Sequence, residues 1–289
     1  MRYYRIADIT ISTDYSGDAV CSYMQKYEVR YTKDVDIEIN IQPSLSITLP
    51  QDVEVFKEKY YRRYAYNSKG DYILYDILED TGEVTSYIEI SRDLSHANMQ
   101  VIDLQRLGGA SIDVRSFNMI GEVVRIVACH RGYICFHASA ISYRGDAILI
   151  SAPSGTGKST HADMWVRYRG ATILNDDCPM IVPVEDGYRV YGTPWSGKTF
   201  INDNKYAYLK AVVFLRRSDE PYIEDIEVAD RRGKYLAQSY LYPYNAMTLA
   251  TLETLGKIYH NIPTYLLGAN MSIDTLNVAY EGIYNENQR

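Results

Sequence analysis

A short run of glycine, lysine and hydroxyl residues is the part of this sequence best suited to chemistry. The apolar segment 147–150 leads into Pro153-Ser154-Gly155-Thr156-Gly157-Lys158-Ser159-Thr160, and a segment able to form a helix follows. Glycine has no Cβ, so backbone N–H groups of such a loop can surround an anion at the helix N-terminus. Lys158 adds a full charge, and the hydroxyl of Ser159 suits Mg²⁺. The run therefore predicts a P-loop for nucleotide phosphates.

All seven residues 154–160 are expected to contact the nucleotide. They are Ser154, Gly155, Thr156, Gly157, Lys158, Ser159 and Thr160. The run departs from the usual pattern because Ala152 stands where the first glycine is normally found. One methyl group can be accommodated at this turn if φ stays negative. The alternative is an ordinary glycine-rich loop between a strand and a helix.

Two adjacent acids follow the next apolar segment. Asp176 and Asp177 come directly after the strand-like run 171–174, a short distance beyond Ser159. A strand that ends in acids beside a P-loop is what a Mg²⁺ site requires. One carboxylate can hold the ion, and the other can take the proton of an attacking hydroxyl. The alternative is a solvated turn. The spacing also predicts that this strand and the P-loop strand are neighbours in the sheet.

Two further stretches could contribute to the same site. His137 follows the apolar segment 133–136, and a turn at 143–146 would fold a hairpin that brings its imidazole near the P-loop. The alternative is that His137 is a structural residue whose ring is hydrogen-bonded inside a sheet. Segment 191–199 contains Trp195, Lys198, two glycines and hydroxyl groups. It is interpreted as a loop over the phosphates, with Trp195 and Lys198 as substrate contacts, or as an ordinary turn.

Composition narrows the class of protein. The 289 residues are 46% hydrophobic and 23% charged, as in globular soluble proteins, and the net charge of −7 argues against nucleic-acid binding. The sequence contains no run of 18 apolar residues, so no membrane-spanning helix is predicted. The four cysteines lack CxxC spacing and are expected to be reduced thiols of a cytoplasmic protein. Homo-oligomerisation is left open by the sequence.

The hydrophobic pattern changes near residue 110. Segments 35–41 and 87–90 alternate with period two, and turns are predicted at 67–70 and 80–82, so residues 1–110 are expected to be β-rich. Because apolar and polar residues alternate, an antiparallel sheet with one wet face is expected. Residues 111–289 mix helical and strand-like patterns around the P-loop. The predicted fold is α/β (α+β), with a β-rich region 1–110 and a P-loop core 111–289.

These motifs resemble the catalytic core of a known family. His137-Ala-Ser-Ala-Ile, Pro-Ser-Gly-Thr-Gly-Lys-Ser-Thr and Leu-Asn-Asp-Asp, in that order, are similar to the HPr serine kinase/phosphorylase family, which shares a P-loop fold with phosphoenolpyruvate carboxykinases. With the stretch 194–198, the chain looks like the HPr-kinase-like proteins of bacterial peptide-modification gene neighbourhoods. The resemblance covers about residues 133–200 strongly and the C-terminal part loosely.

The resemblance implies an ATP- and Mg²⁺-dependent kinase that transfers the γ-phosphoryl group to a hydroxyl. It implies Asp176 as the base toward the acceptor, Asp177 and Ser159 at the metal, and His137 at the transferred group beside Lys158. The Arg/Asn-rich C-terminal signature of HPr kinases is absent, so the expected acceptor is a serine of another protein or peptide. A sugar or nucleoside kinase and a non-catalytic nucleotide-binding scaffold are the alternatives.

Overall fold

The computed structural model describes residues 1–153 and 155–284, and the chain divides into two compact units. The first contains Met1–Ala128 and Tyr242–Asn245, and the second contains Cys129–Leu241 and Ala246–Arg289. Each unit has one large sheet. The fold is mixed α/β of the α+β type, and the described residues form six α-helices. None of these helices is both long and apolar enough to cross a membrane. The predicted domain division at residue 110 stays a prediction.

A nine-stranded sheet in the order β3-β1-β2-β4-β9-β8-β7-β6-β5 forms the first unit. Its strands are β1 (Arg2–Ile6), β2 (Ile9–Thr13), β3 (Glu28–Val29), β4 (Ile37–Pro43), β5 (Glu54–Lys59), β6 (Arg62–Tyr66), β7 (Tyr72–Ile77), β8 (Val84–Ile90) and β9 (His96–Val101). Helix α1 spans Asp18–Tyr23, α2 spans Ile112–His130, and 3₁₀ turns lie at Gln25–Tyr27 and Gln105–Leu107.

The prediction of an antiparallel first sheet was wrong at two pairs. Strand β4 pairs parallel with β2 on one side and with β9 on the other. Parallel neighbours need a crossover connection, and here the crossovers are the α1 segment and the whole β5–β8 meander. The alternation of apolar and polar residues indicates which face of a strand is exposed to solvent. The same alternation occurs in parallel and antiparallel strands, so it could not predict strand direction.

The second unit holds the remaining elements. They are β10 (Ile134–Cys135), β11 (Ser139–Tyr143), β12 (Asp146–Ser151), α3 (Lys158–Arg169), β13 (Thr172–Asn175), β14 (Met180–Val184), β15 (Gly187–Tyr191), β16 (Tyr206–Arg217), β17 (Tyr222–Asp225), α4 (Val228–Gln238), α5 (Asn245–Asn261), β18 (Thr264–Ala269) and α6 (Ile273–Tyr284). The sheet order is β10-β14-β15-β16-β12-β11-β13, and β18 joins β16 to β17.

Both faces of the second sheet are covered by apolar clusters. In β12, Leu149 belongs to the cluster that includes Tyr235 of α4 and residues of α5. Ile148 and Ile150 belong to the opposite cluster, which includes Trp165 of α3 and residues of α6. A strand buried on both faces has no polar side to show, which is why the sequence of β12 is a continuous apolar run.

Strand order brings several chain segments to one edge of this sheet. Strand β12 is parallel to β16, which is parallel to β18. Strand β11 is antiparallel to both β12 and β13, so β13 runs in the direction of β12. The predicted adjacency of β12 and β13 was wrong, because β11 lies between them. The carboxyl ends of β12, β13, β16 and β18, and the start of β11, nevertheless meet at this edge, where open α/β sheets bind ligands.

Candidate functional site

The loop after β12 has the backbone that its glycines were expected to permit. Gly155 has φ +77° and Gly157 has φ +116°, in the region that L side chains rarely adopt. A Cβ placed on either glycine would meet nothing within 4 Å, so there is open space beside both glycines. Ala152 is buried and keeps a negative φ, which accommodates its methyl group. Ser154, a predicted phosphate contact, lies outside the described residues.

Helix α3 begins at Lys158, directly at the loop. Its N-cap is Gly157, which has no side chain to bond the first amides. The N–H groups of the first turn of a helix have no intrahelical partner, and together with the helix dipole they favour an anion. Ser159 and Thr160, on this turn, are exposed. The N–H of Thr156 is bonded to the carbonyl of Pro153 at 3.2 Å, so this amide is already satisfied by the loop.

Three predicted site residues form a chain of polar contacts at the sheet edge. The Nζ of Lys158 lies 3.0 Å from the carbonyl oxygen of Ala152 and 2.9 Å from Nε2 of His137. The same Nε2 lies 3.3 Å from Oδ1 of Asp177. On the other side of the ring, Nδ1 of His137 lies 2.9 Å from Oε1 of Gln238. Nε2 of the imidazole is therefore contacted by both an ammonium and a carboxylate.

The ionisation of these groups is shifted by their contacts. The hydrogen bond to Asp177 raises the pKa of His137 against the opposing effect of burial, and the bond to His137 lowers the pKa of Asp177. Burial lowers the pKa of Lys158. A neutral His137 can accept from Lys158 at Nε2, whereas a protonated one donates there to Asp177. One proton on His137 therefore decides which of its two neighbours it bonds.

Asp176, the predicted base, has different surroundings. The N–H of Gly197 donates to its Oδ1 at 2.6 Å, and the hydroxyl of Thr199 donates to its Oδ2. The residue is only 6% exposed. Both carboxylate oxygens are thus engaged by the 197–199 loop. The structure brings Asp177, rather than Asp176, into the contacts with His137, and the predicted role of Asp176 as base stays a prediction.

Asn175 was not predicted as a site residue, but its side chain bonds the backbone of the turn that contains the two acids. Its Nδ2 donates to the carbonyl oxygens of Thr193 and Trp195, at 2.9 and 3.2 Å. Its Oδ1 accepts from the N–H of Asp177 at 2.8 Å. This buried side-chain amide connects the Asp-Asp turn to the 193–199 loop, so the turn and the loop are fixed relative to each other. Its position just before two acids was the available signal.

The two residues predicted as substrate contacts are placed differently. Trp195 is only 7% exposed, so its side chain is buried. Lys198 is exposed, on the loop whose Gly197 and Thr199 bond Asp176. Two other contacts had little sequence signal. Gln238 comes from the end of α4, and Arg217 at the end of β16 donates to the carbonyl of Gly155 at 2.7 Å. Distant segments supply both, so local spacing could not single them out.

A cavity of about 560 Å³ opens beside the loop, on the side of α3 and the ends of β16 and β18. Its lining consists of Gly155, Thr156, Gly157, Thr160, His161, Met164, Leu215, Arg217, Ser218, Asp219, Ala269, Asn270 and Met271. Such a volume is typical of small-molecule sites.

The residues at the loop are compatible with Mg²⁺ as a partner of a bound phosphate. Within residues 1–153 and 155–284, no three His, Cys, Asp or Glu side chains are grouped to hold a metal ion by themselves. Mg²⁺ rarely needs such a cage, because it keeps several waters and uses one or two protein oxygens together with substrate phosphates. The exposed hydroxyl of Ser159 and the carboxylate of Asp177 are oxygen ligands of that kind.

Comparisons with known proteins place the chain in a family. Residues 107–274, more than half of the chain, match the family model described as SynChlorMet cassette protein ScmC. No curated protein matches. Among solved structures, the HPr(Ser) kinase/phosphatase from Coxiella burnetii aligns at 14% identity and a TM-score of 0.31, over 51% of this chain and 95% of that one. That similarity is too low to support an argument about function. The chain belongs to the ScmC family of SynChlorMet cassette proteins.

Proposed function

We propose that this chain is an ATP- and Mg²⁺-dependent kinase that transfers the γ-phosphoryl group to a hydroxyl, namely a serine of a protein or peptide. The observation that carries the proposal is the position of Lys158 at the start of α3. Its ammonium group lies at the open glycine loop and 2.9 Å from His137, which in turn contacts Asp177. An anion cradle, a cation and a proton acceptor are therefore grouped at one sheet edge.

Phosphate binding is assigned to the loop and the first turn of α3, residues 155–160. Backbone N–H groups supply fixed dipoles, and Lys158 supplies a charge that needs no reorientation of solvent. When bound, Mg²⁺ would neutralise charge on the phosphate oxygens, held by Ser159 and Asp177. Catalysis of phosphoryl transfer depends mainly on positioning and charge stabilisation, and these residues are of the types required.

The acceptor hydroxyl is assigned to the side of the loop where His137 and Asp177 lie. Nε2 of His137 lies 3.3 Å from Oδ1 of Asp177, whose side chain is 38% exposed. Neutral His137 can therefore receive the proton of an incoming hydroxyl, and the carboxylate of Asp177 stabilises the imidazolium that forms. Asp176 is better suited to positioning, because its oxygens hold Gly197 and Thr199. The exposed part of that loop, with Lys198, is proposed to face the peptide.

The proposal is tested by incubating the full chain with γ-labelled ATP and Mg²⁺ against three acceptor pools. These are serine-containing peptides, a whole-cell protein extract, and a mixture of sugars and nucleosides, each repeated with Lys158→Met as the matched control. Label in phosphoserine that disappears with Lys158→Met supports the proposal. Label in a sugar or nucleoside alone would show that the acceptor is a small molecule and not a protein serine. Tight ATP binding without label in any pool would indicate a non-catalytic scaffold.

A further inference from the structure

The cavity beside the P-loop shares residues of the 155–160 segment with the assigned phosphate site, but the rest of its lining has no role in the proposed function. It includes Gly155 and Gly157, where the phosphates are proposed to bind, and residues of α3, and His137 is not part of its lining. Its other walls are the ends of β16 and β18, two strands parallel to β12. A ligand whose phosphates lie in the loop would have the rest of its body at this opening.

The walls have the mixed chemistry of a nucleoside site. Met164, Leu215 and Ala269 provide apolar surface from three different elements. Flat heteroaromatic rings gain most of their binding energy from such surface, and a few polar groups fix their orientation. Arg217 lies at the junction with the loop, where its guanidinium donates to the carbonyl of Gly155 at 2.7 Å. A positive charge is therefore placed between the cavity and the phosphate loop.

His161 adds a polar group whose hydrogen bonding is incomplete. The indole Nε1 of Trp165 donates to its Nε2 at 3.2 Å. Because an indole N–H only donates, Nε2 carries no proton and the neutral ring has its proton on Nδ1. The residue is 4% exposed, and Nδ1 has no hydrogen-bond partner among the described residues. Because Nδ1 is closed to solvent, no ligand atom reaches it without a shift of its surroundings, and His161 contributes ring surface to the cavity lining.

We propose that this cavity holds the base and sugar of the nucleoside triphosphate. The inference rests on the proposed nucleotide-dependent function and adds where the non-phosphate half binds. The proposal predicts that the site binds a nucleoside triphosphate more tightly than a bare polyphosphate, because the polyphosphate would occupy the loop and leave the cavity unfilled.

The test compares two probes, MgATP and Mg-tripolyphosphate, by titration calorimetry on the full chain. Ala269→Leu places three more carbons at the cavity wall, and Ala246→Leu is the matched control on the exposed face of α5. We expect Ala269→Leu to weaken MgATP binding about tenfold or more and tripolyphosphate binding about twofold or less.

Each outcome separates this inference from the proposed function. Tighter binding of MgATP than of tripolyphosphate, lost in Ala269→Leu but not in Ala246→Leu, supports the cavity as the nucleoside site. Equal binding of both probes, or an unchanged MgATP affinity in a folded Ala269→Leu, overturns the inference while the phosphate loop stands. Binding of neither probe to the wild-type chain overturns the proposed function and this inference together. Melting curves of all variants confirm that they are folded.

Discussion

Two clusters of charged residues, one in each unit, differ in how completely their charges are matched. In the first unit, Arg62 makes two hydrogen bonds to Asp76, at 2.8 and 3.1 Å, and a third to Glu122 at 2.9 Å. Arg125 contacts Glu122 at 3.1 Å, and the hydroxyl of Tyr242 donates to it. Burial opposes ionisation of Glu122, but the two arginines lower its pKa to about 2. Every charge here has a fixed partner.

In the second unit, the cluster at the glycine-rich loop leaves its charges incompletely matched. Nε2 of His137 is shared between Lys158 and Asp177, and it cannot bond both in one protonation state. The side chains of His137 and Asp177 remain about one-third exposed. Burial also lowers the pKa of Lys158. Matched buried charges stabilise one geometry, whereas shared and accessible charges can exchange a proton or a partner, which is what a reacting site needs.

The strongest test of this contrast is removal of the ammonium group at the loop. Lys158→Met keeps the length of the side chain and removes its charge. We expect phosphoryl transfer to fall about a thousandfold, because a preorganised charge at the phosphates is lost, with little change in melting temperature. Transfer rates with labelled ATP and thermal melts measure the two effects. Unchanged transfer by a folded Lys158→Met would exclude the assigned phosphate site.

The corresponding change in the first unit should affect stability instead. Glu122→Gln removes the carboxylate that faces two arginines, and breaking such a buried pair costs about 3 kcal/mol in the free energy of unfolding. Glu28→Gln, which removes the partner of Arg2 in an exposed ion pair, is the matched control, with little or no expected loss of stability. Urea melts measure both. A stability of Glu122→Gln equal to that of its control would show that the cluster is not structural.

The two acids beside the glycine-rich loop, Asp176 and Asp177, should differ in the same way. Asp177→Asn is expected to lower kcat about a hundredfold, because Asp177 shares the proton of His137. Asp176→Asn is expected to lower kcat less than about tenfold and to raise KM, since it acts by holding Gly197 and Thr199. Thr199→Val should reproduce the effect of Asp176→Asn. A larger loss of kcat in Asp176→Asn would restore Asp176 as the base predicted from the sequence.

The smallest expected effect is the pH dependence of the His137–Asp177 contact. The pKa of His137 is raised from 6.5, so its stabilisation is full below 6.5 and is lost as the pH rises through the raised value. The pKa of Asp177 is lowered from 3.8, so its stabilisation is full above 3.8 and is lost as the pH falls through the lowered value. The contact should therefore stabilise the fold most between pH 3.8 and 6.5.

Both side chains of this contact are partly exposed, so its contribution should stay under about 1 kcal/mol. The difference in free energy of unfolding between wild type and Asp177→Asn, measured across this range and above it, reports the contribution. We expect the difference to shrink at alkaline pH, where His137 loses its proton. A difference that does not vary with pH would show that the two groups are not coupled.

The local elements of this protein were determined by its sequence to a large extent. The continuous apolar run of β12, the glycine-rich turn and the helix that begins at Lys158 depend on short-range backbone preferences, and the structure has all three. The positive φ of Gly155 and Gly157 follows from the same preferences. The β-rich character of the first hundred residues was visible in period-two alternation, although strand direction was not.

The tertiary structure alone decided how the site is assembled. Sequence placed Asp176 and Asp177 side by side, but only the tertiary contacts hold Asp176 against the 197–199 loop and bring Asp177 to 3.3 Å from Nε2 of His137. Strand β11 separates β12 from β13, and Gln238 and Arg217 arrive from distant segments. Strand order and long-range contacts depend on packing of the whole sheet, and such packing leaves no local pattern in the chain.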